Sequence, residues 1–184
     1  MRITSRLKLL YLLHFSNPPA DRVVYRAIRR GRPRKILELG LGDCRRAARM
    51  IEIASVLAPP REVHFMGVDL FEDRRPADGA GLPLKEAYQM LRGKGARVQL
   101  IPGDVLEGLS RSANALGKID LLVISSQVDP DRLQPAWFFV PRMLHPQSQV
   151  YVESRLPDGS ASLQEMALQE IGARATAAAR RRAA

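Results

Sequence analysis

From position 35 onward, short runs of β-branched and leucine residues alternate with longer stretches in which apolar residues recur at helical spacing. The short runs are 36–39, 63–68, 98–101, 119–124 and 150–152; the helical stretches are about 44–57, 81–93, 105–114 and 131–144, with a last helix near 161–172. Strict alternation of strands and helices implies right-handed crossovers, which make neighbouring strands parallel and cover both faces of the sheet. The pattern predicts an α/β fold: a three-layer doubly wound sheet of five parallel strands, in order 3-2-1-4-5, with helices on both faces. Ile119, Leu121, Leu122, Val123 and Ile124 form the nearly unbroken apolar run expected of a central strand buried on both sides.

Upstream, residues 4–15 read as one helix, and Pro18-Pro19 suits the opening turn of a second, with Val23, Val24, Ala27 and Ile28 as its apolar stripe. Gly31 and Pro33 end it. Trp137, Phe138 and Phe139 are expected to pack one helix onto the sheet. Apolar periodicity fades in the Ala/Arg-rich end, so the organisation expected is a single domain over 1–173, with N-terminal helices over 1–34, a core sheet over 35–153 and a disordered basic tail over 174–184.

Composition narrows the class. With 184 residues the chain holds one good core, and no apolar run approaches the roughly 20 residues of a membrane span. A lone cysteine, Cys44, makes no internal disulfide, so a cytoplasmic protein is expected. Arg2, Arg6 and Lys8 before an apolar stretch loosely imitate a signal peptide, but His14 and the sequence Ser16-Asn17-Pro18-Pro19 do not suit a cleavage site. The net charge is +10, and much of the excess lies in Arg22, Arg26, Arg29, Arg30, Arg32, Arg34 and Lys35 and in Arg174 with Arg180 to Arg182. A solvated helix face and a basic tail account for it, with weak non-specific nucleic-acid contact as the partner that charge implies.

Candidate chemistry begins where the first strand runs into Gly40-Leu41-Gly42-Asp43-Cys44-Arg45. A GxG between strand and helix lets the backbone pass close to a ligand, because a side chain on either glycine would take the ligand's space. A pyrophosphate-binding turn asks for a small residue at the sixth position, where this chain has Arg45, and that counts against NAD. The segment Glu38-Leu39-Gly40-Leu41-Gly42 resembles motif I of class I S-adenosylmethionine-dependent methyltransferases. The later strand ends are similar to that family in the right order: Gly67-Val68-Asp69-Leu70, then Ile101-Pro102-Gly103-Asp104, then the strand Ile119 to Ile124, then Leu144-His145-Pro146-Gln147-Ser148 before the fifth strand.

The resemblance implies a methyltransferase using S-adenosylmethionine on an unknown acceptor. It places Glu38 toward the methionine amino group, Gly40, Leu41 and Gly42 along the backbone wall, Asp69 with Leu70 at the ribose, Gly103 with Asp104 at the adenine edge, and Ser125 at the end of strand four. Read singly, Glu38 is equally a cap for a neighbouring helix, Asp69 a strand-end turn residue and Gly103-Asp104 a helix N-cap. Ser125-Ser126 stands where metal-dependent relatives carry an acid, so no metal is expected. No catalytic base is assigned: His14 reads as a packed helix residue, and Cys44 sits near a helix N-terminus that lowers thiol pKa values but has no partner. The 31 residues after Glu153 look too few and too helical for the family's C-terminal hairpin, which leaves strand five as an edge open to pairing in a homodimer. Two other readings stay open, a non-catalytic relative acting as a binding or scaffold module and an NAD(P)-binding protein.

Overall fold

The computed structural model describes residues 3–59 and 62–183. Two helices, α1 (Ile3–His14) and α2 (Asp21–Gly31), precede β1 (Lys35–Leu39); then follow α3 (Arg45–Leu57), β2 (His64–Asp69), α4 (Leu84–Leu91), β3 (Arg97–Pro102), α5 (Val105–Leu116), β4 (Leu121–Ile124), α6 (Pro130–Ala136), α7 (Val140–Met143), β5 (Gln149–Arg155), β6 (Ala161–Glu165) and α8 (Leu168–Ala183). The sheet order is β3-β2-β1-β4-β5-β6. The first five strands pair in parallel in the expected order, with β1 in register between β2 and β4, Leu37 opposite both Met66 and Leu122.

Alternation along each strand divides the core between two layers. Ile36, Phe65, Leu121, Val123 and Tyr151 face α1, α2 and α3, together with Leu13, Tyr25, Ile28, Met50 and Ile51. Leu37, Leu39, Met66, Val68, Leu122, Ile124 and Val150 face α5, α6, α7 and α8, together with Leu109, Trp137, Val140 and Ile171. Every residue of β4 is buried, as its apolar run requires.

The C-terminal region departs from expectation. In place of a helix over 161–172, the chain turns at Leu156–Ser160 and returns as β6, antiparallel to β5, with Tyr151 opposite Glu165 and Arg155 opposite Ala161. Strand five is therefore not an edge, and the premise of pairing through it falls. The sequence Ser162-Leu163-Gln164-Glu165 buries only Leu163, the alternation of a half-covered edge strand, and its five-residue span is too short to separate from a helical turn by periodicity.

Helix α8 then runs through the stretch expected to be a disordered tail. Alanine has the highest helix propensity, and Ile171 and Ala178 bury against the α6–α7 layer while the Arg182 guanidinium lies 5.0 Å from the Phe138 ring centroid. The helix expected over 131–144 is broken in two around Trp137–Phe139, with Pro135 in its path and Pro141 opening the second piece. Trp137 and Phe139 are buried against the sheet as expected.

Candidate functional site

The order β2-β1-β4 makes the carboxyl end of β1 the switch point, where the chain leaves β1 toward one face of the sheet and β4 toward the other. Two backbone bonds hold that end open as a turn: Gly40 N donates to Val68 O at 2.9 Å and Ser125 N to Leu39 O at 2.9 Å. Gly40 (φ +80°) and Gly42 (φ +55°) both occupy the left-handed region that glycine adopts without cost. Leu41 between them is buried beneath Gly67, where a Cβ would come within 2.7 Å of its Cδ2.

Period-two alternation places Glu38 on the same face as Ile36, and Glu153 on the same face as Tyr151, so both carboxylates point toward the layer of α2 and α3. There they meet Arg46 from the first turn of α3 and Asp21 from the first turn of α2. Arg46 Nε donates to Glu38 Oε1 at 2.7 Å, and its Nη1 lies 3.1 Å from Glu153 Oε1 and 3.4 Å from Asp21 Oδ1. Glu153 Oε2 also accepts from Ser126 N at 3.0 Å and from the hydroxyls of Ser125 and Ser126. The second oxygen of Glu38, Oε2, is buried without a partner.

One guanidinium thus faces three carboxylates out of water. Burial raises the Glu38 pKa to about 7 against the pull of Arg46, and burial also raises that of Asp21. Burial acts the same way on Glu153, but Arg46 and the Ser126 amide outweigh it and hold Glu153 below the usual carboxylate range. For Arg46, burial opposes the charge, and the three carboxylates more than restore it. This cluster borders a cleft of about 420 Å³ lined by Asn17, Pro18, Asp21, Gly40, Leu41, Asp43, Arg45, Arg46, Arg49, Ser125, Gln127 and Glu153. The lining itself balances Asp21, Asp43 and Glu153 against Arg45, Arg46 and Arg49, so the cleft offers partners for both an ammonium and a carboxylate.

On the other side of Gly40 lies a much smaller cavity, about 40 Å³, lined by Val68, Asp69, Leu70, Gly103, Asp104 and Val105 and by the chain's own Arg74, Gln127, Val128 and Arg132. Asp69 Oδ2 accepts from Gly42 N at 3.0 Å, while Oδ1 accepts from Leu70 N at 2.8 Å and from Arg74 Nη2 at 2.5 Å. Arg74 also reaches Asp78 O at 2.6 Å and Gln127 Oε1 at 3.4 Å. The loop after β4 occupies the space over the glycines, since a Cβ on Gly42 would stand 2.6 Å from Gln127 Oε1 and one on Gly40 2.9 Å from Val128 Cγ2. Asp104 caps α5 by accepting from Glu107 N at 3.0 Å, with Arg132 Nε 3.8 Å from its other oxygen.

The sequence-derived residues Glu38, Gly40, Leu41, Gly42, Asp69, Leu70, Gly103, Asp104 and Ser125 therefore gather at one end of the sheet, and all but Glu38 and Gly42 line one or both of two adjoining cavities. Arg46, Asp21, Glu153, Arg74 and Gln127 complete the site and carry no local motif; only the place of Arg46 in the first turn after the GxG gives any hint of its position. Two expectations are corrected. Cys44 is buried, and burial with the nearby Glu38, Asp69 and Asp43 charges pushes its thiol up to about 12 rather than down. His14 is exposed on α1 rather than packed. Among the described residues no cluster of three or more His, Cys, Asp and Glu side chains could hold a metal ion.

No protein-family model and no curated protein matches the chain. Many solved structures match its fold. An O-methyltransferase from Bacillus cereus, solved with S-adenosylhomocysteine, superposes with a TM-score of 0.58 at 16% identity over 86% of this chain and 70% of its own. The O-methyltransferase TomG from Streptomyces achromogenes, solved with S-adenosylmethionine, gives 0.56 at 13% identity over 86% of this chain and 69% of its own. A TehB-like S-adenosylmethionine-dependent methyltransferase from Corynebacterium glutamicum gives 0.52 at 18% identity over 95% of this chain and 79% of its own. At these identities the likeness establishes a shared fold, the Rossmann-like fold of these methyltransferases.

Proposed function

We propose that the protein is an S-adenosylmethionine-dependent methyltransferase. The observation that carries this reading is the buried Glu38 carboxylate with a free oxygen, two residues before a glycine turn at the sheet's switch point and behind a cleft lined by both acids and arginines. The cofactor supplies an electrophilic methyl group on a sulfonium centre. The acidic cluster of Glu38, Glu153 and Asp21 suits its ammonium group, and Arg45 and Arg49 at the cleft rim suit its carboxylate. Asp69 suits vicinal ribose hydroxyls and Asp104 an adenine amino group, with Gly40, Leu41, Gly42, Leu70 and Gly103 as walls and Ser125 at the end of β4.

The fit is good in the larger cleft and conditional in the smaller one, where Arg74 and Gln127 must turn outward before an adenosine enters. In this reading the chain accelerates transfer by holding the acceptor in line with the methyl group, with no base and no metal assigned; the Ser125 and Ser126 hydroxyls are poor metal ligands, and the carboxylate beside them, Glu153, is engaged by Arg46 and the Ser126 amide. A second reading, a fold relative that binds no cofactor, is favoured by the 40 Å³ cavity alone.

Calorimetry with S-adenosylhomocysteine tests the proposal. The wild type should bind, and Gly40→Val or Asp69→Ala should weaken binding about tenfold or more, equivalent to about 1.4 kcal/mol. Silence in both the wild type and an Arg74→Ala variant would establish the second reading.

A further inference from the structure

At the end of the sheet opposite the cleft, where β1, β4 and β5 begin, lies a recess of about 680 Å³ lined by Arg30, Arg32, Arg34, His145, Gln147 and Gln149. It adjoins a second hollow of about 500 Å³ lined by Val23, Arg26, Arg29 and Arg30, and Arg30 belongs to both. Arg26, Arg29 and Arg30 stand at i, i+3 and i+4, on the face of α2 opposite the buried Val24, Ala27 and Ile28. Arg32 and Arg34 extend the row past the helix end, around the left-handed turn at Arg32 (φ 47°).

Among the described residues Arg26, Arg29, Arg30 and Arg32 have no carboxylate within ion-pair distance, and Arg34 alone meets one, Glu62 at 3.3 Å. The contrast with the rest of the molecule is informative. Arg45, Arg46, Arg74, Arg75, Arg111 and Arg174 are paired with acids, whereas the ridge brings four acid-free guanidiniums together within seven residues of chain. The acid that does line the recess, Asp120, is already occupied by the Arg34 and Lys35 amides at 2.8 Å and by His145 Nε2 at 3.0 Å.

We propose that this arginine row is a docking surface for the phosphate backbone of a nucleic acid. Each row position is a guanidinium, whose planar fork matches phosphate oxygens better than an ammonium does. A row that follows about 6 Å of helix and then bends into a recess suits a string of phosphates rather than a flat membrane, and neither hollow is lined by the exposed Leu7, Leu10, Tyr11 or Phe15 that a lipid surface would engage. No Phe, Tyr or Trp side chain lines either hollow, and the one ring there, His145, is held by Asp120, so the contact reads charge and not base sequence.

Fluorescence anisotropy with a labelled single-stranded oligoribonucleotide across a salt series tests this on the full chain. Five arginine contacts give a slope of log K against log salt of about −3.5, at about −0.7 per phosphate. The combined variant R26Q, R29Q, R30Q should flatten the slope by about 2 and weaken binding about tenfold or more, while R26K, R29K, R30K keeps the slope. Arg26 and Arg29 are solvated and Arg30, also exposed, reaches the Tyr151 hydroxyl, so thermal melting should change little; if the glutamine variant melts early, the lysine variant and the wild-type slope decide. The proposal is overturned if the glutamine variant binds like the wild type, or if R180Q, R181Q, R182Q instead abolishes binding. It is equally overturned if polyglutamate competes as well as RNA at equal charge, or if the glutamine variant loses binding only to anionic phosphatidylserine vesicles.

Discussion

The carboxylate of Glu38, buried on β1 and sharing Arg46 with Asp21 and Glu153, couples the cleft to pH. Its pKa is about 7 in the folded chain against an ordinary 4.5, so the folded state binds that proton more tightly than the unfolded state. The stability it contributes is fully present below pH 4.5 and is lost as pH rises to about 7. Glu38→Gln should therefore remove a falling limb of thermal stability in that window, measured as Tm against pH. Glu153 is shifted the other way and loses its contribution only as pH falls below the ordinary carboxylate range, so the two effects separate along the pH axis. An ammonium-bearing ligand favours ionised Glu38, so S-adenosylhomocysteine affinity should climb as pH approaches 7 in the wild type and stay flat in Glu38→Gln. A second residue prediction concerns Arg74, which holds Asp69 and narrows the smaller cavity. Arg74→Ala should tighten S-adenosylhomocysteine binding in calorimetry; weaker binding would make Arg74 a ligand contact rather than an occupant. Glu38, Gly40 and Gly42 were visible in the sequence because strand, turn and helix are contiguous there. Arg74 was not, because what matters about it is the acid it reaches across the loop after β2.

Among the elements, β6 changes the character of the sheet's end. It pairs with β5 along the whole of its length and tucks Leu163 into the core while Gln164 and Glu165 stay exposed. Polar and charged residues on a short edge strand discourage pairing with another chain, so self-association through this edge is no longer the expectation. Leu163→Ala should lower unfolding free energy by about 2–4 kcal/mol in urea titration, through lost burial and the cavity left behind. A loss near zero would mean that β6 is only loosely held. The regular parallel strands and their crossover helices were legible because each is long enough for its period to show. The β5–β6 hairpin was not, since five residues with one buried position carry almost no periodic signal, and the final helix was misread as a tail because alanine-rich chain has little hydrophobic contrast.

For the molecule as a whole, the two functional readings occupy opposite ends of the sheet: the cleft at the carboxyl ends of β1 and β4, and the arginine row beyond their amino ends. Binding at one can be measured with the other altered, so the proposals stand or fall separately. The sequence by itself determined the α/β class, the order of elements through β5, and the gathering of Glu38, the glycine turn, Asp69 and Asp104 at the ends of successive strands. Those features follow from local periodicity and from the handedness of crossovers, which a linear reading can apply. Only the tertiary structure decided that Arg46 would meet three carboxylates from β1, β5 and α2, that Arg74 would take Asp69, that Cys44 would be buried, and that Arg26, Arg29, Arg30 and Arg32 would share one ridge with no acid partner. These are partnerships between residues as many as 107 positions apart, as from Arg46 to Glu153. Charge interactions of that kind depend on separation and on exclusion of water, and neither is written in the order of residues along the chain.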